Sequence, residues 1–401
     1  MKSFTDLGIR ESLVNKLAEK QITQPTKVQN QVIGSIRKGK NLIFKSETGT
    51  GKTFAYLLPV LSRILNERQE QTEQKILPTP QPRLLVIAPT HELASQIKAE
   101  TDFLCEADRQ NAQIAIKAAL CIGGANITRQ IEMLKEKPQI ICGGPARILE
   151  LVRLKKLKTQ HICGIILDEV DRLLSPELRD DTIELIESLP KDAQVIACSA
   201  TIKPNIVKVL QSQRTDFVQE LMPAENVLQE KIEHWAFHAE KRNKIETLTK
   251  IINYTQPVKA LVFSAETGQI ENIVSKLKYK NINCEGIYSK TEKMDRKKII
   301  DDFKKGKIQI LVTSDLAARG LDISDVTHII QMDVPKNEDF FVHRSGRTAR
   351  AGKNGINIVM GDEWELRNLS NLEKKLKIVI YPKVLYKGQI VNPKDLEEYE
   401  G

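Results

Sequence analysis

The chain has 401 residues, which exceeds the size of one ordinary domain and suits two. Hydrophobic residues make up 41% and charged residues 28%, a balance typical of soluble globular proteins, and no apolar run reaches the roughly 18 residues of a membrane span. The net charge of +9 suits a polyanionic partner, although positive charge also serves solubility alone.

The first residues and the cysteines indicate a reducing, cytoplasmic setting. The start, MKSFTDLGIRESLV, carries acids early and has no apolar core of signal-peptide length. The six cysteines form no CxxC pair, and most lie in or beside apolar runs. We therefore expect buried thiols, with a zinc site as the weaker alternative.

Short apolar runs alternate with helical stretches along the whole chain. The runs are NLIF, RLLVIA, AALCI, QIIC, CGIIL and QVIAC in the first half, then KALVF, INCEGI, IQILV, THIIQ and GINIVM. Continuous apolar runs are typical of strands that are buried on both faces of a parallel sheet. The sequence therefore predicts an α/β protein with two domains, each a parallel sheet flanked by helices.

The alternating pattern lapses between Gln211 and Gln229, where we place the joint between the domains. A polar stretch at 66–82, NERQEQTEQKILPTPQP, is predicted to be an exposed loop because Gln, Glu and Pro are frequent in such segments. The predicted parts are 1–217 for the first domain, 218–230 for the linker, 231–381 for the second domain and 382–401 for a short C-terminal extension.

The segment NLIFKSETGTGKTFAYLLPVL predicts a strand, a glycine loop and a helix that begins near Lys52. It matches the phosphate-binding pattern G-x-x-x-x-G-K-T, with Ser46 in place of the first glycine. Gly49 and Gly51 allow backbone N–H groups to face phosphate oxygens, and the helix start adds a positive dipole. Lys52 is expected to reach the β- and γ-phosphates and Thr53 to ligate magnesium. The alternative is a glycine turn with a chance GKT.

The apolar run CGIIL leads directly into the acids DEVD at 168–171. An acid at the carboxyl end of a buried parallel strand lies on the ligand-binding edge of the sheet. Asp168 is therefore expected to hold magnesium through its water shell, and Glu169 to orient and deprotonate a water. The alternative is an ordinary acidic helix start.

Eight motifs follow one another in a fixed order: SETGTGKT (46–53), PTHELA (89–94), GG (123–124), GPAR (144–147), DEVD (168–171), SAT (199–201), TSDLAARGLD (313–322) and HRSGRTAR (343–350). With the upstream segment QITQPTKVQ (21–29), they resemble the DEAD-box ATP-dependent RNA helicases of helicase superfamily 2, from Phe4 to about Ile380. The resemblance implies two tandem RecA-like (P-loop NTPase) domains, with ATP and Mg²⁺ as cofactors. It also implies a monomeric RNA-binding enzyme, not a membrane protein, that hydrolyses ATP and locally unwinds short duplexes by ATP-driven domain closure.

The resemblance implies an ATP site that draws on both domains. Gln29 would hydrogen-bond the adenine edge, since its amide offers a donor and an acceptor, and Asp322 would meet the ribose. The residues implied to bind ATP are Phe4, Ile22, Gln29, Ser46, Glu47, Thr48, Gly49, Thr50, Gly51, Lys52, Thr53 and Asp322.

In HRSGRTAR, the resemblance assigns Arg347 and Arg350 as arginine fingers on the γ-phosphate, with His343 joining the catalytic elements at the domain interface. A guanidinium supplied from the other domain stabilises the transferring phosphoryl group and couples chemistry to closure. This would place the phosphate loop and these arginines on opposite sides of one cleft. The alternative is a basic patch that binds the RNA backbone.

The resemblance also implies RNA contacts and coupling residues. Ser199 and Thr201 would link the state of ATP to domain closure. His91, where the family has arginine, and Gly144, where it has threonine, are expected to weaken the RNA contact more than ATP hydrolysis. An ATP-gated RNA clamp with little unwinding and a DNA-directed helicase remain alternatives. The implied RNA-binding residues are Pro89, Thr90, Gly124, Pro145, Arg147 and Ser314.

Overall fold

The computed structural model divides the chain into two compact units, Met1–Ala224 and Glu225–Gly401, and each unit has its own sheet. Within the part of the chain that is described, no helix is long and apolar enough to cross a membrane. The described residues are 2–46, 50–75, 81–111, 113–214, 216–220, 227–288, 291, 293–318, 323, 325–349 and 353–396.

The first unit contains a sheet in which every described strand pair is parallel, in the order β3-β4-β2-β5-β6-β1-β7. Its central strands are buried along their whole length, as their continuous apolar runs predict. The strands are β1 Leu42–Lys45, β2 Leu84–Ile87, β3 Ala118–Cys121, β4 Ile140–Gly143, β5 Gly164–Asp168, β6 Gln194–Ser199 and β7 Val218–Glu220.

Helices cover both faces of this sheet and form two apolar cores with it. All six cysteines of the chain are free thiols and five are buried, as expected. The helices of the first unit are α1 Glu11–Ala18, α2 Lys27–Arg37, α3 Lys52–Glu73, α4 His91–Cys105, α5 Ile127–Lys135, α6 Pro145–Arg153, α7 Val170–Leu173, α8 Arg179–Glu187 and α9 Pro204–Gln213.

The second unit repeats the architecture with the strand order β10-β11-β9-β12-β13-β8-β14-β15. Its described pairs are parallel except for the β14–β15 hairpin. The strands are β8 Ile232–His238, β9 Ala260–Phe263, β10 Cys284–Ile287, β11 Ile310–Thr313, β12 His328–Gln331, β13 Gly355–Gly361, β14 Ile380–Tyr386 and β15 Gln389–Val391. The helices are α10 Val227–Glu230, α11 Lys244–Thr255, α12 Ile270–Tyr279, α13 Lys293–Lys304, α14 Asp315–Ala318, α15 Glu338–Ser345 and α16 Glu363–Leu376. The predicted fold class, two α/β units with parallel sheets, is confirmed.

The polar stretch at 66–82 is a loop only in part. Helix α3 continues through it as far as Glu73, so the loop prediction is wrong for residues 66–73. Glu, Gln and Arg are good helix formers, and the buried first half of α3 nucleates a helix that they extend. Residues 76–80 of this stretch lie outside the described residues.

The stretch predicted as the linker, 218–230, contains regular structure. Val218–Glu220 forms β7, which pairs with β1 at the edge of the first sheet, and Val227–Glu230 forms α10. Beyond 381, β14 continues to Tyr386 and β15 pairs with it, so the C-terminal extension adds to the second sheet. The domain boundaries themselves stay a prediction.

Two buried histidines lie on strands of the second sheet. His234 on β8 is 2% exposed and His328 on β12 is 8% exposed. Burial lowers the pKa of each imidazole to about 4 from an ordinary 6.5. Both side chains are therefore neutral at physiological pH, and their protonation opposes folding.

We predict that these histidines make the second unit less stable in mild acid. The unfolded chain binds their protons below about pH 6.5, whereas the folded chain does so only near pH 4, so stability is complete above pH 6.5 and falls between those values. At a pH below both pKa values, each histidine lowers the free energy of unfolding by on the order of 3 kcal/mol relative to its value above pH 6.5. Urea unfolding followed from about pH 7 to pH 5 measures the slope.

The double variant His234→Gln/His328→Gln provides the control, because glutamine keeps a hydrogen-bonding side chain that does not titrate. Its free energy of unfolding should change much less with pH over the same window. A pH slope equal to that of the wild type would show that other groups cause the acid sensitivity.

Candidate nucleotide and nucleic-acid sites

The residues predicted to bind ATP in the first unit lie where three adjacent strands end. β5, β6 and β1 are neighbours in the sheet, and Asp168, Ser199 and Lys45 are their last residues. Lys45 lies opposite Ser199 in the parallel register, and Asp168 lies opposite Cys198. The carboxyl ends of parallel strands form the ligand-binding edge of such a sheet.

The phosphate loop ends at Gly51, directly before helix α3. Gly51 has a φ of +87°, a left-handed conformation, and a Cβ there would lie 2.5 Å from Nε2 of Gln29. Lys52 is the first residue of α3, so the residue that bears the ammonium group lies at the positive end of the helix dipole. Ser46 donates its backbone N–H to the Ser199 carbonyl at 2.9 Å, which fixes the other end of the loop.

The hydroxyl oxygens of Ser46 and Thr50 lie 2.5 Å apart and close the loop across its base. The loop residues between them that were predicted to bind ATP, Glu47, Thr48 and Gly49, lie outside the described residues. The described part thus has the expected order of strand, loop and helix.

Asp168 is fully buried, and four donors surround its carboxylate. Oδ2 accepts from the Tyr56 hydroxyl at 2.9 Å, and Oδ1 accepts from the Cys198 thiol at 3.4 Å and the Glu169 backbone N–H at 2.9 Å. Nζ of Lys52 lies 3.4 Å from Oδ1. Burial, followed by the charge of Asp168, raises the pKa of both Tyr56 and Cys198 well above their ordinary values, so both stay protonated as donors.

Lys52 is a buried cation at neutral pH. Burial is the largest single influence and lowers its pKa, but the negative charges around it, that of Asp168 foremost, together outweigh burial and raise the pKa above its ordinary value. An ammonium at a helix start, next to a carboxylate, can bind the phosphates of a nucleotide without changing its protonation.

The donor set fits magnesium held mainly by phosphates. Thr53 lies in the first turn of α3, and the Tyr56 hydroxyl from the same helix donates to the Asp168 carboxylate, so this bond joins the elements that carry the two predicted metal ligands. Carboxylate and hydroxyl oxygens are hard ligands, and Mg²⁺ in phosphate sites takes one or two such protein ligands and several waters. Among the described residues, no group of three or more His, Cys, Asp and Glu side chains is arranged to hold a metal.

Glu169 has an unusual backbone. Its φ is +53°, in the left-handed region that residues other than glycine, asparagine and aspartate rarely adopt. The residue is 5% exposed, directly precedes α7 and lies beside the Asp168 carboxylate. Most other non-glycine residues with a positive φ, such as Lys75 and Lys137, are exposed, whereas Glu169 is buried directly after β5, where surrounding structure maintains the strain.

Ser199 and Thr201 share one acceptor that the sequence interpretation did not single out. Their hydroxyls donate to the Asp171 carboxylate at 2.5 and 2.7 Å, one to each oxygen. Asp171 is the last acid of DEVD and lies in α7. The SAT and DEVD motifs are therefore linked by direct hydrogen bonds. The feature of the sequence that could have predicted this link is the acid at the fourth position of DEVD.

Gln29 contacts the phosphate loop. Its Nε2 donates to the Gly51 carbonyl at 3.0 Å, and its Oε1 accepts from the Thr26 backbone N–H at 2.9 Å in a capping box at the start of α2. The Phe4 ring is 1% exposed and packs in the core of the first unit, and its predicted contact with ATP stays a prediction. Ile22 is half-buried against the same core.

The residues predicted to bind RNA in the first unit follow β2, β3 and β4, which form the other half of the same sheet edge. Thr90 caps α4 by accepting from the Leu93 backbone N–H at 3.2 Å and directly follows Pro89, and Pro145 is the first residue of α6. Gly124 has a φ of +68° in the turn after β3. Arg147 donates to the Ala125 carbonyl at 3.0 Å, so this guanidinium joins α6 to that turn.

His91 lies against the same turn, as a Cβ added at Gly123 would be 3.4 Å from its Nε2. The predicted RNA contact of the second unit, Ser314, caps α14 by accepting from the Ala317 backbone N–H at 3.3 Å. Two helix starts, a glycine turn and an arginine are thus brought together in the first unit.

Arg344, the second residue of HRSGRTAR, has a buried side chain that binds two aspartates, a structural role that the sequence interpretation missed. Its guanidinium is 2% exposed and binds Asp315 through two hydrogen bonds of 2.6 and 2.7 Å, and Asp333 at 3.2 Å. Arg347 is 6% exposed, and its backbone N–H donates to the Arg344 carbonyl at 3.1 Å. His343 lies in the last turn of α15. Two further predicted residues, Arg350 and Asp322, lie outside the described residues.

Comparisons with known proteins agree with this geometry. The family model described as DEAD/DEAH box helicase matches residues 26–209, and the helicase conserved C-terminal domain matches residues 243–352. The chain is 35% identical over 382 residues to the DEAD-box ATP-dependent RNA helicase CshC of Bacillus cereus, covering 92% of this chain and 90% of that protein. The chain belongs to the DEAD-box family of ATP-dependent RNA helicases.

A second relative of this DEAD-box helicase is the probable ATP-dependent RNA helicase YfmL of Bacillus subtilis, 37% identical over 369 residues, with 92% of this chain and 93% of that protein covered. Among solved structures, Mss116p bound to ssRNA and AMP-PNP has a TM-score of 0.78 at 26% identity and covers 92% of this chain and 76% of that chain. Dbp5 of S. cerevisiae bound to RNA and ADP BeF3 has a TM-score of 0.80 at 24% identity, covers 100% of this chain and 98% of that chain, and shares the fold. The predicted family, enzyme class and tandem RecA-like fold of this DEAD-box helicase are confirmed.

We predict that Tyr56→Phe destabilises the first unit of this DEAD-box helicase. The change removes a hydrogen bond to a buried carboxylate, and such bonds to charged groups contribute about 2 kcal/mol. Urea unfolding should show this loss. Tyr254→Phe is the matched control, because Tyr254 is 47% exposed and its replacement should change stability by less than about 0.5 kcal/mol. Equal stability of Tyr56→Phe and wild type would show that the hydroxyl contributes nothing.

Proposed function

We propose that this ATP-dependent RNA helicase binds single-stranded RNA and locally unwinds short duplexes by ATP-driven closure of its two units, with DEVD serving where the family has DEAD. The observation that carries the proposal is the buried Asp168 carboxylate, which Lys52 and Tyr56 contact from the start of α3. A buried anion next to a phosphate loop and a strained glutamate supports nucleotide hydrolysis at this edge.

In the proposed site, Lys52 holds the β- and γ-phosphates, and Gln29 binds the adenine edge beside the loop that it already contacts. Thr53, and Asp168 through water, would hold Mg²⁺, which would supply positive charge that neutralises the phosphates. Asp322 meets the ribose. These roles follow the family motifs residue by residue, and the contacts of Lys52 and Gln29 support them.

The chemistry assigned to the chain is water activation followed by charge stabilisation. Glu169, buried directly after β5, orients a water and accepts its proton. Arg347 and Arg350 stabilise the transferring phosphoryl group, and His343 joins the elements at the interface. The hold on Arg344 supports the role of Arg347, since Arg347 lies in the turn after α15 and its backbone N–H donates to the Arg344 carbonyl.

RNA is proposed to bind across the half of the edge formed by β2, β3 and β4. The starts of α4 and α6 carry positive dipoles that suit phosphates, and Thr90 and Pro145 mark these two helix starts, although Pro145 itself has no N–H to donate. Gly124 permits close approach of the backbone, and Arg147 adds charge. Ser314 contributes from the second unit. Contacts of this kind read the backbone and not the base sequence.

The hydrogen bonds from Ser199 and Thr201 to Asp171 support a coupling role for this pair. We propose that a change at DEVD on ATP hydrolysis passes through Asp171 to the end of β6. Binding of ATP and RNA favours the closed arrangement, and hydrolysis and phosphate release favour reopening.

The first test is steady-state ATP hydrolysis with and without single-stranded RNA. We expect RNA to stimulate hydrolysis and Glu169→Gln to abolish it, with a loss of about 100-fold or more, because the variant removes the proton acceptor and retains the shape. Glu187→Gln is the matched control, since Glu187 is exposed on α8, and it should keep wild-type rates. Full activity of Glu169→Gln would contradict the assigned role.

Release of a short RNA duplex separates a helicase from an ATP-gated clamp. We expect strand release with ATP, and a clamp would bind RNA with a non-hydrolysable analogue yet release no strand. Stimulation of hydrolysis by DNA of the same sequence measures the nucleic-acid preference. Equal stimulation by RNA and DNA would contradict the RNA assignment.

A further inference from the structure

Four consecutive hydrogen bonds cross the second unit, and in each one a side chain donates to the next residue in the series. Nη1 of Arg344 donates to Oε1 of Gln331 at 3.1 Å, and Nε2 of Gln331 donates to Oδ1 of Asn357 at 2.8 Å. Nδ2 of Asn357 lies 3.0 Å from Nδ1 of His234, and Nε2 of His234 lies 2.7 Å from the carbonyl oxygen of Leu228. A carbonyl only accepts, so Nε2 of the imidazole carries the proton and Nδ1 accepts from Asn357.

All four side chains of this polar chain are buried. Gln331 and Asn357 are 0% exposed, and Arg344 and His234 are 2% exposed. A buried amide without a partner costs free energy, so each link depends on the next. The guanidinium at one end polarises the amides that follow, which strengthens their hydrogen bonds.

The two ends of the polar chain lie at functionally distinct places. Arg344 lies in HRSGRTAR, and its carbonyl accepts the backbone N–H of Arg347. Leu228 lies in α10, the first helix after the boundary between the units at Ala224 and Glu225. The polar chain therefore joins the arginine motif to the point where the chain enters the second unit.

A second contact ties His234 to helix α15, which ends in this motif. The His234 imidazole and the Phe341 ring have centroids 5.5 Å apart, and Phe341 is fully buried. Apolar side chains would fill the interior at equal or lower cost in free energy, but they would not fix the orientation of a guanidinium. Directional hydrogen bonds do fix it.

We propose that Asn357 and His234 are positioning residues for the arginine motif. Through Gln331 they add to the hold that Asp315 and Asp333 have on Arg344, and so help to fix the backbone that carries Arg347. They also tie that orientation to α10. Neither residue belongs to the motifs identified in the sequence. The inference rests on the proposed arginine-finger role of Arg347.

The experiment measures kcat and KM for RNA-stimulated ATP hydrolysis by the full chain. Asn357→Ala interrupts the polar chain at its centre and should lower kcat about 10-fold, with KM for ATP within about twofold of wild type. His234→Phe removes the acceptor for Asn357 and should have the same effect. His234→Gln should restore at least half of the wild-type kcat, because its amide can accept from Asn357 and donate to Leu228.

Ile358→Val is the matched control. Ile358 is the next residue on β13, is fully buried and packs in the apolar core on the other face of the sheet. Its shortening carries an ordinary packing cost and should leave kcat unchanged. Hydrogen exchange adds a readout independent of activity, since Asn357→Ala should accelerate exchange in both 227–238 and 338–349, whereas Ile358→Val should not.

The outcomes separate this inference from the proposed function. Arg347→Ala with wild-type kcat would overturn the arginine-finger role, and the positioning role with it. An inactive Arg347→Ala together with wild-type kcat for Asn357→Ala and His234→Phe would overturn the positioning role alone. Failure of His234→Gln to exceed His234→Phe would also overturn it, since only the hydrogen bonds distinguish the two variants.

Discussion

The first unit depends on one buried negative charge. The Asp168 carboxylate is fully buried at the end of β5, and an ion in that position is tolerated only where donors and positive charge surround it. Those groups come from three elements: Lys52 and Tyr56 from α3, Cys198 from β6 and the Glu169 amide from the chain after β5. Satisfying the carboxylate therefore sets the position of α3, and the position of α3 sets the shape of the phosphate loop.

The second unit is organised around a buried charge of the opposite sign. The Arg344 guanidinium is held by Asp315, which follows β11, and by Asp333, which follows β12. The carboxylates converge because β9 lies between β11 and β12, so the loops after both strands reach the same region of the edge. Each unit thus places one buried ion at the carboxyl edge of its sheet, and residues with a proposed catalytic role lie within three positions of that ion in the sequence.

Much of this architecture could be predicted because continuous apolar runs mark strands that are buried on both faces. The run CGIIL became β5 and GINIVM became β13. β8 was missed because IEHWAFH mixes polar and apolar residues, and the helix beyond residue 66 was missed because polar helix formers resemble a loop. The partners of Asn357 and Arg344 could not be predicted, since they depend on the order of β12, β13 and β8 in the sheet.

The strand order of the first unit has a mechanical consequence. Residues assigned to ATP follow β1, β5 and β6, and residues assigned to RNA follow β2, β3 and β4, with β2 and β5 paired directly at the junction. These central strands are close-packed on both faces and are joined by a continuous ladder of backbone hydrogen bonds. The sheet therefore keeps a fixed distance between the residues assigned to ATP and the residues assigned to RNA. For the proposed nucleotide and RNA sites, this fixed distance sets the spacing between the two ligands on the first unit.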